Sequence, residues 1–232
     1  IRKDLGNGAQ MNRLLQGDVG SGKTIVAFIS ALIAIGNGFQ ACIMTPTEIL
    51  SYQHYNKFKE FCNILNINEK TLTGSSKASD KKDIKENLKR GEIDLLIGTH
   101  ALIYDNVEFK NLGLAIIDEQ HKFGVAQRSK LWHKNKLPPH ILIMTATPIP
   151  RTLAMSVYGD LDMSVIDELP PGRKYINTIH QTHNQRLKLI DFLKNEIKKG
   201  RQAYVVYPLI KESEKLDFKD LMDGYETFSR DF

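Results

Sequence analysis

Tryptophan occurs once, at position 132, and cysteine twice, at 42 and 62. The cysteines have no metal-binding spacing and lie in apolar stretches. That sets aside a zinc module or a disulfide framework and points to buried, reduced thiols in a cytosolic protein. No apolar run reaches the roughly 20 residues that a membrane-spanning helix needs, and no signal peptide opens the chain, so no membrane association is expected. Nothing repeats at a fixed period, which excludes solenoids and propellers, and there is no low-complexity tract. An acidic excess is also missing: 32 Lys+Arg stand against 27 Asp+Glu, a net charge of +5. That balance suits a nucleic-acid partner without requiring one. What remains is ordinary globular composition, 41% hydrophobic and 25% charged over 232 residues, enough for one large domain or two smaller ones. The first residue is Ile1 rather than Met, so a piece of a longer protein is expected.

The most informative stretch is Gly17-Asp18-Val19-Gly20-Ser21-Gly22-Lys23-Thr24, which matches G-x-x-x-x-G-K-[ST] at every fixed position. A short apolar run, Arg13-Leu14-Leu15-Gln16, precedes it and can form a buried strand. The run Ile25 to Ile33 follows and can form a buried helix. A strand–loop–helix context is what a phosphate-binding loop requires. Its glycines let backbone N–H groups turn toward phosphate oxygens, and the following helix aims its positive end at the same anion. Lys23 is then the residue that reaches the β- and γ-phosphates of ATP, and the Thr24 hydroxyl is a ligand for Mg²⁺. Without nucleotide, the Lys23 ammonium is expected to be solvated.

Further along, Gly36-Asn37-Gly38 ends the helix, and Phe39 to Met44 reads as a buried strand. A helix is predicted from Glu48 to Leu65 on the spacing of Ile49, Leu50, Tyr52, Phe58, Phe61 and Leu65. Glu69 to Leu72 suits another strand. Ser79 to Arg90 suits a capped helix, acidic early and basic late, whose lysines either face solvent or touch phosphate. Leu95 to Gly98, Leu114 to Ile117 and His140 to Met144 are further apolar strands. Such strands alternating with helices imply an α/β fold with a mainly parallel sheet covered on both faces. Pro170-Pro171-Gly172 breaks the pattern and sets the expected division into domains at 1–170 and 171–232. Beyond it, a strand from Tyr175 to His180, a helix from Asn184 to Lys199 and a strand from Ala203 to Tyr207 begin a second α/β unit, too short to complete a sheet.

The strand Leu114 to Ile117 runs directly into Asp118-Glu119. A carboxylate at the carboxyl end of a parallel strand lies where Mg²⁺ sits beside a phosphate loop. Asp118 is the predicted metal-holding residue, through water, and Glu119 the predicted general base for the attacking water.

Asp118-Glu119-Gln120-His121 resembles motif II of superfamily 2 helicases and translocases. Thr45-Pro46-Thr47-Glu48-Ile49-Leu50 resembles motif Ia, Gly98-Thr99-His100-Ala101-Leu102-Ile103 motif Ib, and Thr145-Ala146-Thr147 motif III. Longer strings are similar to the RecG family of bacterial branched-DNA translocases: Leu14 to Thr24, Ile117 to Val125, Thr145 to Ala154 and Asp167 to Arg173. The transcription-repair coupling factors share much of this pattern but usually carry Asp-Glu-Glu-Gln-Arg at motif II, so Gln120-His121 favours the RecG family.

The resemblance implies a RecA-like lobe followed by an incomplete second RecA-like lobe, acting as an ATP-dependent DNA helicase motor in the bacterial cytosol. Its partner is branched duplex DNA, held mainly through phosphates, and the piece alone is expected to be a monomer. It implies that Lys23, Asp118 and Glu119 act in hydrolysis and that Gly17 to Thr24 bind the nucleotide. His121, Thr145 and Thr147 would couple nucleotide state to DNA contact, and Thr47, Gln53, Thr99 and His100 would face DNA. Thr47 is also a natural N-cap, a role compatible with a phosphate contact. His100 alone reads as a packed or exposed histidine, a reading that the Gly98–Ile103 string reverses; Arg151 reads also as a plain helix N-terminal residue, and Trp132 as helix packing rather than base stacking. The family's adenine-reading segment, second-lobe arginine motif and DNA-reading wedge have no counterpart in these 232 residues. Near-background turnover is therefore expected of the chain alone. Two other classes fit the sequence: a P-loop NTPase acting on proteins or small molecules, and a nucleotide-binding module that does not hydrolyse.

Overall fold

The structure, a computed structural model, describes residues 1–103, 107–118, 137–147, 161–168, 170, 172–173, 176–181, 185–206 and 221–231. The chain divides into two compact units, 1–173 and 174–232.

The first unit runs α1 (Arg2–Leu5), β1 (Asn12–Gly17), α2 (Lys23–Gly36), β2 (Gln40–Met44), α3 (Glu48–Leu65), β3 (Glu69–Leu72), α4 (Ala78–Arg90), β4 (Leu95–Gly98), a 3-10 turn (His100–Ile103), β5 (Leu112–Asp118), β6 (His140–Thr145) and β7 (Asp162–Ile166). The strands form one seven-stranded sheet in the order β3-β4-β2-β5-β6-β1-β7. Every pairing is parallel.

Parallel strands need crossovers, and the helices provide them by covering both faces. Side chains alternate across the sheet, so neighbours in sequence enter different cores. Leu15, Ile43, Ile97, Ile116 and Leu142 pack with Ala27, Phe28 and Ala31 of α2 and with Phe58 and Cys62 of α3. Leu14, Cys42, Leu96, Ala115, Ile117, Ile141 and Ile143 pack on the other face with Leu88 of α4. Each fully buried Leu or Ile contributes about 1.5–3 kcal/mol relative to an exposed one. Phe28 and Phe58 stack with centroids 4.4 Å apart, locking α2 to α3. Gln40 is buried yet satisfied: its amide donates to the carbonyls of Leu88 and Ile93, and its oxygen accepts from the Asn111 amide.

Both cysteines are free and buried, as their apolar surroundings predict. Burial, with the charges of Glu69 and Asp94 nearby, pushes the Cys62 thiol up to about 11. Among the described residues, no helix is long and apolar enough to cross a membrane.

Several expectations need correction. The helix predicted from Ser79 begins at Ala78, and Lys77 at its N-cap makes no side-chain capping bond. Strand β7 and the short helix α1 have no counterpart in the sequence reading. In the second unit, α5 (Arg186–Lys198) matches its predicted helix and α6 (Leu221–Asp231) is additional. The strands expected at 175–180 and 203–207 do not appear at 176–180 or 203–206. A strand is stable only when a neighbour accepts and donates along its length. The described residues of this unit supply two helices and no such neighbour. Tyr204 and Val206 are almost fully exposed there.

Candidate functional site

The sheet's carboxyl edge gathers the predicted motifs, and strand register sets their lateral order. Gln16 of β1 pairs with Thr145 of β6, Met144 of β6 with Asp118 of β5, Ile117 of β5 with Met44 of β2, and Met44 with Gly98 of β4. One row across the sheet therefore carries the end of β1, motif III, motif II, motif Ia and motif Ib.

The loop after β1 is shaped by glycine. Gly20 and Gly22 have φ of +83° and +97°, a region that side chains with a Cβ rarely enter. Gly17 has an ordinary φ, but a Cβ there would lie 2.6 Å from Ser21 Oγ and 3.1 Å from Ile166 Cβ. The loop closes on itself through the Ser21 amide, which donates to the Asp18 carbonyl at 3.1 Å, and α2 starts at Lys23.

Lys23 is half-buried and held by the loop rather than free in solvent, contrary to the sequence expectation. Its ammonium donates to the carbonyl oxygens of Gly17 at 2.7 Å and Asp18 at 2.8 Å. An ammonium has three donors and no acceptor, so carbonyls exposed by a tight loop are natural partners. Asp18 carries a second tie. Its carboxylate accepts from the Val19 amide at 2.7 Å and pairs with the Arg173 guanidinium. That guanidinium also donates to the Val19 carbonyl at 3.4 Å. The Arg173 hydrogen bond and then the Val19 amide hold the Asp18 carboxyl below its usual range.

Asp118 closes β5 with its side chain largely buried, and Oδ2 lies 2.8 Å from Nε2 of His54 on α3. The sequence reading missed His54. Its signal was a histidine on the inward face of α3, in line with Ser51, Phe58 and Cys62. Thr145 and Thr147 bond through their hydroxyls at 2.8 Å, and the Thr147 amide donates to Thr145 Oγ1 at 3.1 Å. Thr47 is the N-cap of α3, its hydroxyl accepting from the Leu50 amide at 3.4 Å. Thr45 Oγ1 reaches the Thr47 carbonyl at 2.9 Å and Ser51 Oγ at 2.7 Å, which fixes the start of the helix on the end of β2.

Thr47, Gln53 and His100 are exposed, whereas Thr99 is only 3% exposed. The Thr99 side chain therefore does not present itself to a surface ligand as the sequence reading expected. Glu119, Gln120, His121, Trp132 and Arg151 lie outside the described residues.

A nucleotide with Mg²⁺ fits the residues present. Ser21 Oγ is buried in the loop with no hydrogen-bond partner, and the glycines leave the backbone close and bare. Thr24 in the first turn of α2 and Asp118 offer hard oxygen donors. Mg²⁺ usually takes one or two protein oxygens and completes its shell with water and phosphate. Among the described residues no group of three or more His, Cys, Asp or Glu forms a metal cage, and such an ion needs none.

The DEAD/DEAH box helicase family matches residues 4–156. The chain is 54% identical over 233 residues to the ATP-dependent DNA helicase RecG of Aquifex aeolicus, covering 100% of this chain and 29% of that protein. It is 51% identical over 229 residues to RecG of Bacillus subtilis, covering 99% of this chain and 33% of that protein. Among solved structures, RecG bound to a three-way DNA junction superposes with a TM-score of 0.79 at 43% identity, covering 99% of this chain and 30% of that one. The likeness to RecG read from the motifs thus runs along the whole chain, which spans about a third of the length of these relatives. The seven-stranded parallel sheet with its flanking helices is the RecA-like helicase fold. With more than half its length matched by that family, the chain belongs to the DEAD/DEAH box helicases.

Proposed function

We propose that the chain is the nucleotide-binding lobe, with the beginning of a second lobe after residue 173, of an ATP-dependent motor that translocates on branched duplex DNA. One observation carries this reading: the phosphate loop, Asp118, the Thr145–Thr147 turn and the Thr45–Thr47 helix start share one edge of one parallel sheet. The relatives' names and the junction-bound RecG structure support DNA as the partner. Lys23 exchanges its two carbonyl partners for phosphate oxygens, and the loop amides and the amino end of α2 hold the same anion. Thr24 and Asp118 would hold Mg²⁺, which neutralises phosphate charge when bound. Glu119 is proposed as the base that takes the proton of the attacking water. Thr47, Gln53, His100 and the backbone at Thr99 form the proposed DNA-facing rim, reading phosphates rather than bases.

The test is steady-state ATPase activity of a protein of the relatives' full length carrying this chain, with and without three-way junction DNA. Junction DNA should raise turnover, and Lys23→Ala should lower it about 10²–10³-fold, the range for losing one preorganised charge stabiliser. Unchanged turnover in Lys23→Ala, or indifference to DNA, would overturn the reading.

A further inference from the structure

His54 stands apart from every residue assigned so far. It belongs to α3, whose first turn is the proposed DNA-facing motif, yet its ring reaches the strand that ends in the proposed metal carboxylate. Nε2 lies 2.8 Å from Asp118 Oδ2, and the two side chains are 8% and 14% exposed. A carboxylate accepts only, so the proton between them sits on Nε2 and the histidine donates. The ring is packed over Phe58 with centroids 5.8 Å apart, and Phe58 in turn stacks on Phe28 of α2, the helix that begins at Lys23. The helix carrying His54 is itself fixed at its start by the Thr45–Ser51 and Thr47–Leu50 bonds.

We infer that His54 is a positioning residue for Asp118. It holds one carboxylate oxygen so that the group presents a single orientation to the Mg²⁺ that accompanies a bound nucleotide. The inference rests on the proposed nucleotide site. Its physical basis is general: a residue that hydrogen-bonds a metal-holding group from behind fixes its orientation, and its loss typically costs 10–100-fold in metal affinity or activity. The arrangement also makes the carboxylate's orientation answer to the seat of α3. A shift of that helix moves the donor along with the rim that the proposal assigns to DNA.

The test uses this chain, a fluorescent ATP analogue, and Mn²⁺ as a spectroscopic stand-in whose free and bound forms differ in electron paramagnetic resonance. Nucleotide affinity is measured with and without metal, and Mn²⁺ affinity is measured on the nucleotide-bound protein. His54→Gln keeps an N–H donor at a similar reach; His54→Met keeps the bulk against Phe58 and removes the donor. The Gln variant should stay within about threefold of the wild-type Mn²⁺ affinity, and the Met variant should lose about 10-fold or more. Both should bind metal-free nucleotide alike. If His54 merely fills the core, the order reverses, because Met packs better than Gln; that result, or equal Mn²⁺ affinity in both, overturns the inference. Asp118→Ala separates the two levels. If it abolishes the metal-dependent component while His54→Met does not, the site reading stands and the role of His54 falls. If Asp118→Ala leaves that component intact, the site reading falls and takes the inference with it.

Discussion

At the scale of single residues, space decides more than chemistry does. Gly98 closes β4, and a Cβ there would lie 2.1 Å from the Leu72 carbonyl oxygen and 3.1 Å from a Leu102 methyl. The carbonyl is backbone of the neighbouring strand and cannot swing aside. Gly98→Ala should therefore cost about 2–4 kcal/mol, more than an ordinary surface change, because β3 must be pushed off the sheet. Urea unfolding of the two proteins measures it; a difference under about 0.5 kcal/mol would show that the strands part without strain. The sequence reading placed Gly98 in a motif string and found no reason for it. Close approach to a carbonyl across the sheet is a relation between distant residues, and no local pattern announces it. His54 is the same kind of case. Its place on the inward face of α3 was legible, but its partner is 64 positions away. The opposite holds for Gly17 to Thr24. There the chemistry is local, each position is dictated by the turn, and the string alone was sufficient to locate the loop.

At the scale of elements, the strands and helices of the first unit were legible wherever both faces are buried. β2, β4, β5 and β6 are near-continuous apolar runs because neither face meets water, and α3 carries a Thr cap at one end and Asn66 in the left-handed region at the other. β7 was missed because it is half-exposed and carries Asp162 and Ser164. Besides its backbone ladder with β1, it is tied by Arg13, which bonds the carboxylates of Asp4 and Asp162, the Ser164 hydroxyl and the Met163 carbonyl. The strands expected in the second unit failed for the converse reason. Apolar residues at 203–206 suit a strand, but suitability supplies no partner.

The start of β6 carries a pH dependence. The Met11 amide donates to His140 Nδ1 at 2.9 Å, which requires that nitrogen to be unprotonated. Burial lowers the His140 pKa below 6.5, against a smaller raising effect from Asp4. A base with a depressed folded pKa binds fewer protons folded than unfolded. Stability is therefore fully present above the unfolded value and is lost as pH falls from about 6.5 toward the folded pKa. His140→Asn keeps an acceptor for Met11 and does not titrate. Thermal melts between pH 5 and 7.5 should show a shallower pH slope for that variant. Parallel slopes would assign the dependence elsewhere.

At the scale of the whole molecule, the two units differ in how they bury their apolar residues. The first carries two cores, one on each face of the sheet. In α5 of the second, Ile190 is buried, while Leu187, Leu189, Phe192 and Ile197 are exposed.

The strand order has a consequence for how the first unit loosens. Among the described residues, β3 and β7 lie at the edges, each bonded to one neighbour, while β1 has β6 on one side and β7 on the other. Local opening begins where few bonds must break, and amide protons report it by exchanging with solvent. In heavy water, amides of β3 should exchange first, then those of β7, and those of β2, β5 and β6 last; β1 keeps its β6 ladder when β7 frays. Mass spectrometry of peptic fragments orders them, and β5 or β6 exchanging as fast as β3 would contradict it. Asp118 and Thr145 thus belong to the part of the sheet that opens last, while the outer side of the phosphate loop borders a strand that opens early. On the β7 side the loop's backing can breathe on a faster clock than the carboxylate it works with.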